Sequence, residues 1–353
     1  MITIGVDAHK RIHVAVAVDE AGRILGSSQI ANNPGSWQEL SGWARGLGAP
    51  RQWGVEGSGS YGRGLAQHLV AAGETVHEVN PRLTAAGRRR ARRSDKNDGL
   101  DARAVAMAVL REGPGLPQVA VDDETAVLDL LTTERETLVR ESTALCNRMH
   151  KILLQLDPEY GDKLPRLGSK GGVKRLLRYS AREGSPLQQA RAAMVRMYAK
   201  QVALVLKQAE DVERQVRELV EARYRPLTEL SGVGPLTAGA LAGILGPGKR
   251  FVREEQLAAY GGAAPLEASS AGGVRHRLNR TGNRRLNAIL YRIVLTQSRR
   301  SEQAKTYLER RMSEGKTRRE AVRALKRYIV RAIWRLWQKC LAQQASQQMP
   351  AAA

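Results

Sequence analysis

This chain has few thiols, and its carboxylates are far outnumbered by its basic groups. Cys146 and Cys340 are its two cysteines in 353 residues. They lie far apart, each in a helical pattern with no His or Cys at metal-ligand spacing, so no disulfide framework is legible and both read as small buried hydrophobes. No apolar run approaches the roughly 18 to 20 residues that a membrane-spanning helix needs. The opening Met1-Ile2-Thr3-Ile4 lacks the basic-then-apolar layout of a signal peptide, and a cytoplasmic location is expected. Acids number 35 against 57 Lys and Arg, a net charge of +22. An excess of that size favours a phosphate backbone as partner, with an affinity that falls steeply as salt rises. A membrane surface attracts the same charge, but no spanning segment accompanies it.

With 42% hydrophobic and 26% charged residues, the chain is globular in composition and long enough for two or three domains. Alternating patterns at Ile2 to Asp7, Ile12 to Val18 and Arg23 to Gln29, joined by polar turns such as Asp19-Glu20-Ala21-Gly22, predict a three-stranded meander. Amphipathic stretches at Trp37 to Leu47 and Gly64 to Ala72 interleave with strand-like Gln52 to Glu56 and Thr75 to Val79. That implies a mixed sheet with helices on its faces. Ala102 to Leu110 reads as a helix ended by Glu112-Gly113-Pro114-Gly115, which closes a first domain at 1–115.

In 116–223, Leu131, Leu138, Leu145 and Ile152 recur every seventh residue. After a Gly-rich basic loop near Gly168 to Gly172, a second ladder of Val195, Val202, Ala209 and Val216 runs beside Tyr198, Val205, Val212 and Leu219. These are coiled-coil a and d positions, for two long helices that pack on each other or on another chain. Residues 224–342 are helical and very basic, and 343–353 form a polar, Ala-rich tail expected to be disordered. The fold class is α/β followed by α.

Set against the basic excess, four acids stand out: Asp7, Glu56, Asp98 and Asp101. Carboxylates at two strand ends and a pair three apart at a helix start can converge at one sheet edge, with Asp98 and Asp101 on one helical face. Hard oxygen ligands of this kind suit Mg²⁺ or Mn²⁺, which bind phosphate oxygens directly. Two such ions roughly 4 Å apart stabilise the attacking and leaving oxygens of an in-line displacement. Taken singly, Asp98 and Asp101 are ordinary acids at a helix start and Asp7 is a turn acid. Strand order and net charge are what make the set a metal site.

Beside the acids, Arg88-Arg89-Arg90-Ala91-Arg92-Arg93 and Lys96 form the densest basic run, read as phosphate contacts on a loop that orders on nucleic acid. Lys10 and His9 follow Asp7 and can face the same phosphate, His9 more as a turn residue than as a general base. Leu230-Ser231-Gly232-Val233-Gly234-Pro235 and the apolar helix after it have the form of a helix-hairpin-helix, in which backbone N–H groups hold a phosphate. A ligand-free turn between two helices has the same pattern. Further on, Tyr260 to Gly273 is rich in small residues and holds Ser269 and Ser270; after it come Arg275, Arg277, Arg280, Asn283, Arg284 and Arg285, again candidates for nucleic-acid contact. Serines in glycine-rich loops usually satisfy turns.

The company these motifs keep changes their reading. Asp7 in a Gly-x-Asp-x-x-Lys setting, Val55-Glu56 followed by Gly57 and Tyr61-Gly62, and Lys96-Asn97-Asp98-x-x-Asp101-Ala102 resemble the N-terminal domain of DEDD transposases of the insertion sequence 110 family. Gly-x-Gly-Pro-x-Thr-Ala at Gly232, Tyr260-Gly261 through Pro265, the serine pair and Thr281-Gly282-Asn283-Arg284-Arg285-Leu286 resemble that family's C-terminal domain. The resemblance implies a RuvC-like, RNase H-type fold for the first domain, with Asp7, Glu56, Asp98 and Asp101 as the metal-binding tetrad. It also implies a serine nucleophile that forms a transient phosphoserine link to DNA. Family members have Ser-Gly at the fifth residue after the proline, which is Ser270 here; Ala271 intervenes before the glycines and Ser269 precedes, so both serines are candidates, Ser270 first. Family members are also guided by a structured non-coding RNA of their element. With serine and tetrad on different domains, the two can meet across protomers of a homodimer or a tetramer of dimers.

Two other enzymes share parts of this pattern. A site-specific DNA invertase of the Piv type resembles the same family, and a metal-dependent nuclease of the Holliday-junction type would use the acids with water and no serine. An inert binder of DNA or RNA would use the charge alone.

Overall fold

The computed structural model describes residues 1–88, 98–180, 184–248, 250–264, 266–267, 276–277 and 282–348. They divide into two compact units. One comprises Met1–Ala126, Pro226–Val233 and Ile244–Ala353, and the other Val127–Arg225 with Gly234–Gly243.

The first unit opens with an antiparallel meander of β1 (Ile2–Ala8), β2 (Ile12–Val18) and β3 (Ile24–Ala31). Helix α1 (Pro34–Leu47) follows; Asn33 caps it by accepting from the Ser36 N–H, and Pro34 occupies the first turn, where its missing N–H costs nothing. β4 (Arg51–Glu56), α2 (Arg63–Ala71) and β5 (Val76–Val79) complete a five-stranded sheet in the order β3-β2-β1-β4-β5, with β4 parallel to both β1 and β5. A mixed sheet of this kind is consistent with the RuvC-like domain that the resemblance implies. α3 (Pro81–Arg88) occupies the start of what reads in sequence as a basic loop, and α4 (Asp98–Glu112) begins four residues before the apolar pattern from Ala102.

Strand alternation sorts the side chains onto two faces. Ile4, Val6, Ala15, Ala17, Trp53 and Val55 pack with Leu40 and Ala44 of α1 and with Leu65, Ala66 and Leu69 of α2. On the other face Val14, Val16 and Val18 meet Ala102 and Ala106 of α4, and Val79 meets Val105 and Val109. α4 lies so close to β1 that a Cβ added at Gly5 would fall 2.2 Å from the Ala102 carbonyl oxygen and the Ala106 nitrogen. At Gly54 it would fall 2.3 Å from a Val109 methyl. The glycines in the two central strands are what let the helix sit down on the sheet.

In the second unit, α5 (Glu124–Leu156) and α8 (Pro186–Leu219) flank the short α6 (Tyr160–Lys163) and α7 (Lys170–Leu176). The long helices pair antiparallel: Leu138 packs with Val205 and Ala209 at one end, and Met149 and Leu153 with Val195, Ala199 and Val202 at the other. Arg135 donates to Glu213 at 2.8 Å between them. All four residues of the second heptad ladder, Val195, Val202, Ala209 and Val216, are buried. The Ser185 and Gln188 capping box starts α8.

After α9 (Pro235–Leu245), the first unit resumes with α10 (Glu254–Tyr260), the two-residue strands β6 (Leu266–Glu267) and β7 (His276–Arg277), and α11 (Arg284–Arg300), α12 (Glu302–Ser313) and α13 (Arg318–Gln348). α13 runs through Gln343 to Gln348, into the stretch that reads in sequence as a tail. Gln and Ala are good helix formers, and a polar, Ala-rich composition serves a helix end as well as it serves a tail. No described helix is long and apolar enough to cross a membrane.

Candidate metal centre

Thr3, Gly5 and Asp7 alternate with Ile4 and Val6, so Asp7 emerges on the α4 side of β1. Glu56 is its partner in the parallel register with β4 and emerges on the same side, as Gly54 does. The two carboxylates therefore stand next to each other at the C-terminal ends of adjacent parallel strands. α4 starts at Asp98, which puts Asp98 and Asp101 in its first turn. There the helix dipole favours negative charge, and the spacing of three places both acids on one face. The same glycine-permitted contact that seats α4 on β1 thus brings Asp98 and Asp101, 91 and 94 residues after Asp7, to the strand ends.

Asp7 and Asp101 are each only 8% exposed. Glu56 Oε2 accepts from the Thr84 hydroxyl of α3 at 3.0 Å, and that hydroxyl also donates to the Pro81 carbonyl at 2.9 Å. His9 begins the β1–β2 turn, its N–H bonded to the Ile12 carbonyl at 3.0 Å. Its Nε2 lies 3.2 Å from Asp7 Oδ2 and 3.8 Å from Asp98 Oδ1. One donor atom each from Asp7, His9 and Asp98 lies within 4.8 Å of the others. The His9 Nε2 atom is shielded from solvent, although the side chain as a whole is 42% exposed. Burial pushes the Asp7 carboxyl above its ordinary value of 3.8; His9 opposes the rise, while the charges of Asp101 and Asp98 add to it. Crowded carboxylates with an imidazole nitrogen among them are a donor set that a divalent cation fits, by neutralising the repulsion between the acids.

The other expected residues are placed unevenly. Lys10 is exposed in the turn beside the acids. Arg88 ends α3 and Arg277 lies in β7. Arg89, Arg90, Arg92, Arg93, Lys96, Ser269, Ser270, Arg275 and Arg280 lie outside the described residues. Gly232 turns the chain at φ 88°, and Gly234 precedes Pro235, the first residue of α9. Asn283 caps α11 through the Leu286 N–H at 2.9 Å, with exposed Arg284 and half-buried Arg285 following it.

Sequence reasoning passes over a polar cluster that joins the sheet edge to the C-terminal helices. Arg250 Nη2 donates to Glu78 Oε2 of β5 at 2.7 Å and to the Tyr260 hydroxyl at 3.0 Å; that hydroxyl donates to Glu78 Oε1 at 3.2 Å and accepts from Asn283 Nδ2 at 3.0 Å. Burial, with Glu78 adding to it, pushes the Tyr260 phenol up to about 12. The Gln118 N–H donates to the Arg250 carbonyl at 3.0 Å, a second tie between the same segments. No spacing rule links Glu78 to Arg250 in sequence. The sequence signal for His9 is its position two residues after Asp7, just past the end of β1.

Residues 4–158 match the model of a DEDD transposase family, described as "Transposase", and residues 224–309 match one described as "Transposase IS116/IS110/IS902 family". The chain belongs to the IS110 family of transposases. Similarity to individual members of that family extends between the two matches. Over 94% of both chains, this IS110-family protein is 26% identical to the "Insertion element IS116 uncharacterized 44.8 kDa protein" of Streptomyces clavuligerus. It is 29% identical to the "Transposase for insertion sequence element IS1328" of Yersinia enterocolitica, over 59% of each chain. It is 28% identical to a "Probable family 20 transposase" of Pseudomonas aeruginosa, over 64% of this chain and 65% of that one. As an IS110-family transposase the protein is an enzyme that acts on DNA, and its DEDD class implies a divalent metal. The first family match spans the strand ends and the start of α4, where the acids lie.

Proposed function

We propose that this transposase cuts and exchanges DNA strands with two sets of groups: the acids Asp7, Glu56, Asp98 and Asp101, which hold Mg²⁺ or Mn²⁺, and a serine nucleophile, Ser270 with Ser269 as the alternative. The observation that carries the proposal is the shared position of Asp7 and Glu56 at adjacent strand ends, with Asp98 and Asp101 in the first turn of the helix that covers that face. When bound, the cation polarises the scissile phosphate and stabilises charge developing on its oxygens. The acids supply the negative cradle, and Lys10 with the arginine run Arg88 to Arg93 draws in the DNA backbone. The serine Oγ forms a bond to phosphorus as one strand's P–O bond breaks; the serine proton is released and the departing oxygen gains one. Bond energy is conserved in the phosphoserine link and is available for rejoining.

A guide RNA of the element is the second polyanion in this reading, supported by the family resemblance and by a net charge of +22. The turn at Gly232 and Gly234 is read as a helix-hairpin-helix phosphate site, and the heptad ladders as a coiled coil that contributes to assembly of a homodimer or a tetramer of dimers. Exposed Leu187, Met194, Met197 and Leu204 on α8 support such an assembly, because apolar side chains of that size in a row favour a partner surface.

The test is strand cleavage on DNA carrying the element's junction, followed by denaturing electrophoresis. The expected result is a protein–DNA adduct that survives denaturation, needs a divalent cation, and disappears in Asp7→Ala and in Ser270→Ala. Free DNA ends from Ser270→Ala and Ser269→Ala alike would replace the serine mechanism with hydrolysis of the Holliday-junction type. Inversion of a segment in place of movement of an element would identify a Piv-type invertase.

A further inference from the structure

The acids do not account for His9. Its Nε2 is shielded from solvent between two of them, beside Asp7 Oδ2 and Asp98 Oδ1. A nitrogen 3.2 Å from one carboxylate and 3.8 Å from a second, with one donor atom of each residue within 4.8 Å of the others, is placed as a third donor to something they share. The backbone fixes this placement: Asp7 and His9 are two residues apart at the end of β1, and the His9 N–H is tied to the Ile12 carbonyl at 3.0 Å.

We infer that His9 is a ligand of the same cation, and that its imidazole widens the site's preference for a first-row transition dication such as Mn²⁺ over Mg²⁺. The inference rests on the reading of the acids as a metal site. Mg²⁺ holds to oxygen ligands and gives up its waters reluctantly. Borderline ions accept nitrogen readily and gain affinity from it in the order Mn²⁺, Fe²⁺, Co²⁺, Ni²⁺. A site of carboxylates alone already holds Mn²⁺ more firmly than Mg²⁺, and one imidazole widens that gap, so the contribution of His9 is read in the ratio of the two affinities.

The metal-free full-length protein is titrated by calorimetry with Mn²⁺ and separately with Mg²⁺, and the Mn²⁺-loaded protein is examined by electron spin-echo modulation for nitrogen coupling to the metal. Wild type is expected to bind Mn²⁺ the more tightly and to show nitrogen coupling. His9→Ala is expected to lose the coupling and at least about tenfold in Mn²⁺ affinity, with a smaller change for Mg²⁺, so that the ratio of the two contracts. His9→Gln keeps a polar side chain in the turn and should fold with a wild-type circular dichroism spectrum while still losing the coupling. Persistent nitrogen coupling in both His9 variants, or an unchanged Mn²⁺ to Mg²⁺ ratio, overturns the inference. Asp7→Asn separates it from its premise: wild-type Mn²⁺ binding in that variant defeats the acid site itself. Lost binding in Asp7→Asn beside unaltered binding in His9→Ala defeats the role of His9 alone.

Discussion

At Asp7, burial and the neighbouring charges of Asp101 and Asp98 outweigh His9, so the folded carboxyl titrates above its ordinary value of 3.8. Below that value the carboxyl is protonated in both folded and unfolded chains and contributes no difference. As pH rises through the folded value, the unfolded chain has already released its proton and the folded one must follow at a penalty, so stability is lost. Asp7→Asn is therefore expected to raise the melting temperature of the metal-free protein at neutral pH, and the gain should vanish toward pH 3.8. Saturating cation should narrow the gap by stabilising only the wild type, by about 2.7 kcal/mol at a hundredfold excess over the dissociation constant. A variant that melts below wild type at pH 7 would show that Asp7 is held by favourable partners. Asp7 and Glu56 were legible from sequence because strand ends carry their own signal in the apolar alternation before them. In sequence His9 reads as a turn residue, since spacing from Asp7 is visible there but the direction of its ring nitrogen is not.

At the scale of elements, the contact between α4 and β1 decides the site. Gly5 admits the helix backbone, with a substituent there 2.2 Å from Ala102 oxygen and Ala106 nitrogen. Gly5→Ala must push α4 outward, and with it Asp98 and Asp101. The expected cost is about 1–3 kcal/mol or more, seen as a lower denaturant midpoint at unchanged slope, together with weakened Mn²⁺ binding. Unaltered metal affinity in a destabilised Gly5→Ala would mean that the acids do not depend on this contact. Sequence located α4 from its apolar pattern but began it at Ala102, because Asp98 and Gly99 are poor interior helix formers. At a first turn an acid is favoured by the dipole, and the structure starts the helix at Asp98.

Across the whole molecule, the two ends of the chain belong to one unit, and the Glu78, Arg250, Tyr260 and Asn283 cluster is one of its ties. Arg250→Ala removes hydrogen bonds to a charged partner and is expected to cost about 1.5–3 kcal/mol. Amide exchange should accelerate in β5 and α10 together; acceleration in α10 alone would show that the cluster does not couple them. The basic excess predicts that log affinity for DNA falls linearly with log salt, with a slope near −0.9 for each phosphate neutralised. Replacing Arg284 or Arg285 by Ala should reduce that slope by about 1 if the residue contacts phosphate, with similar losses on unrelated sequences.

The sequence by itself determined the mixed sheet and the helical remainder, because alternation and heptads are written in local spacing and need only the period of a strand or a helix. It also determined the family, through short motifs in fixed order at both ends. The tertiary structure decided that Asp7 and Glu56 share a face beside the first turn of α4, that His9 points its nitrogen between Asp7 and Asp98, and that Glu78 meets Arg250. Those outcomes depend on sheet register, on how closely a helix can approach a glycine, and on contacts between residues up to 182 positions apart. No local pattern encodes distances of that kind, since many pairings are compatible with the same spacing and only packing selects one.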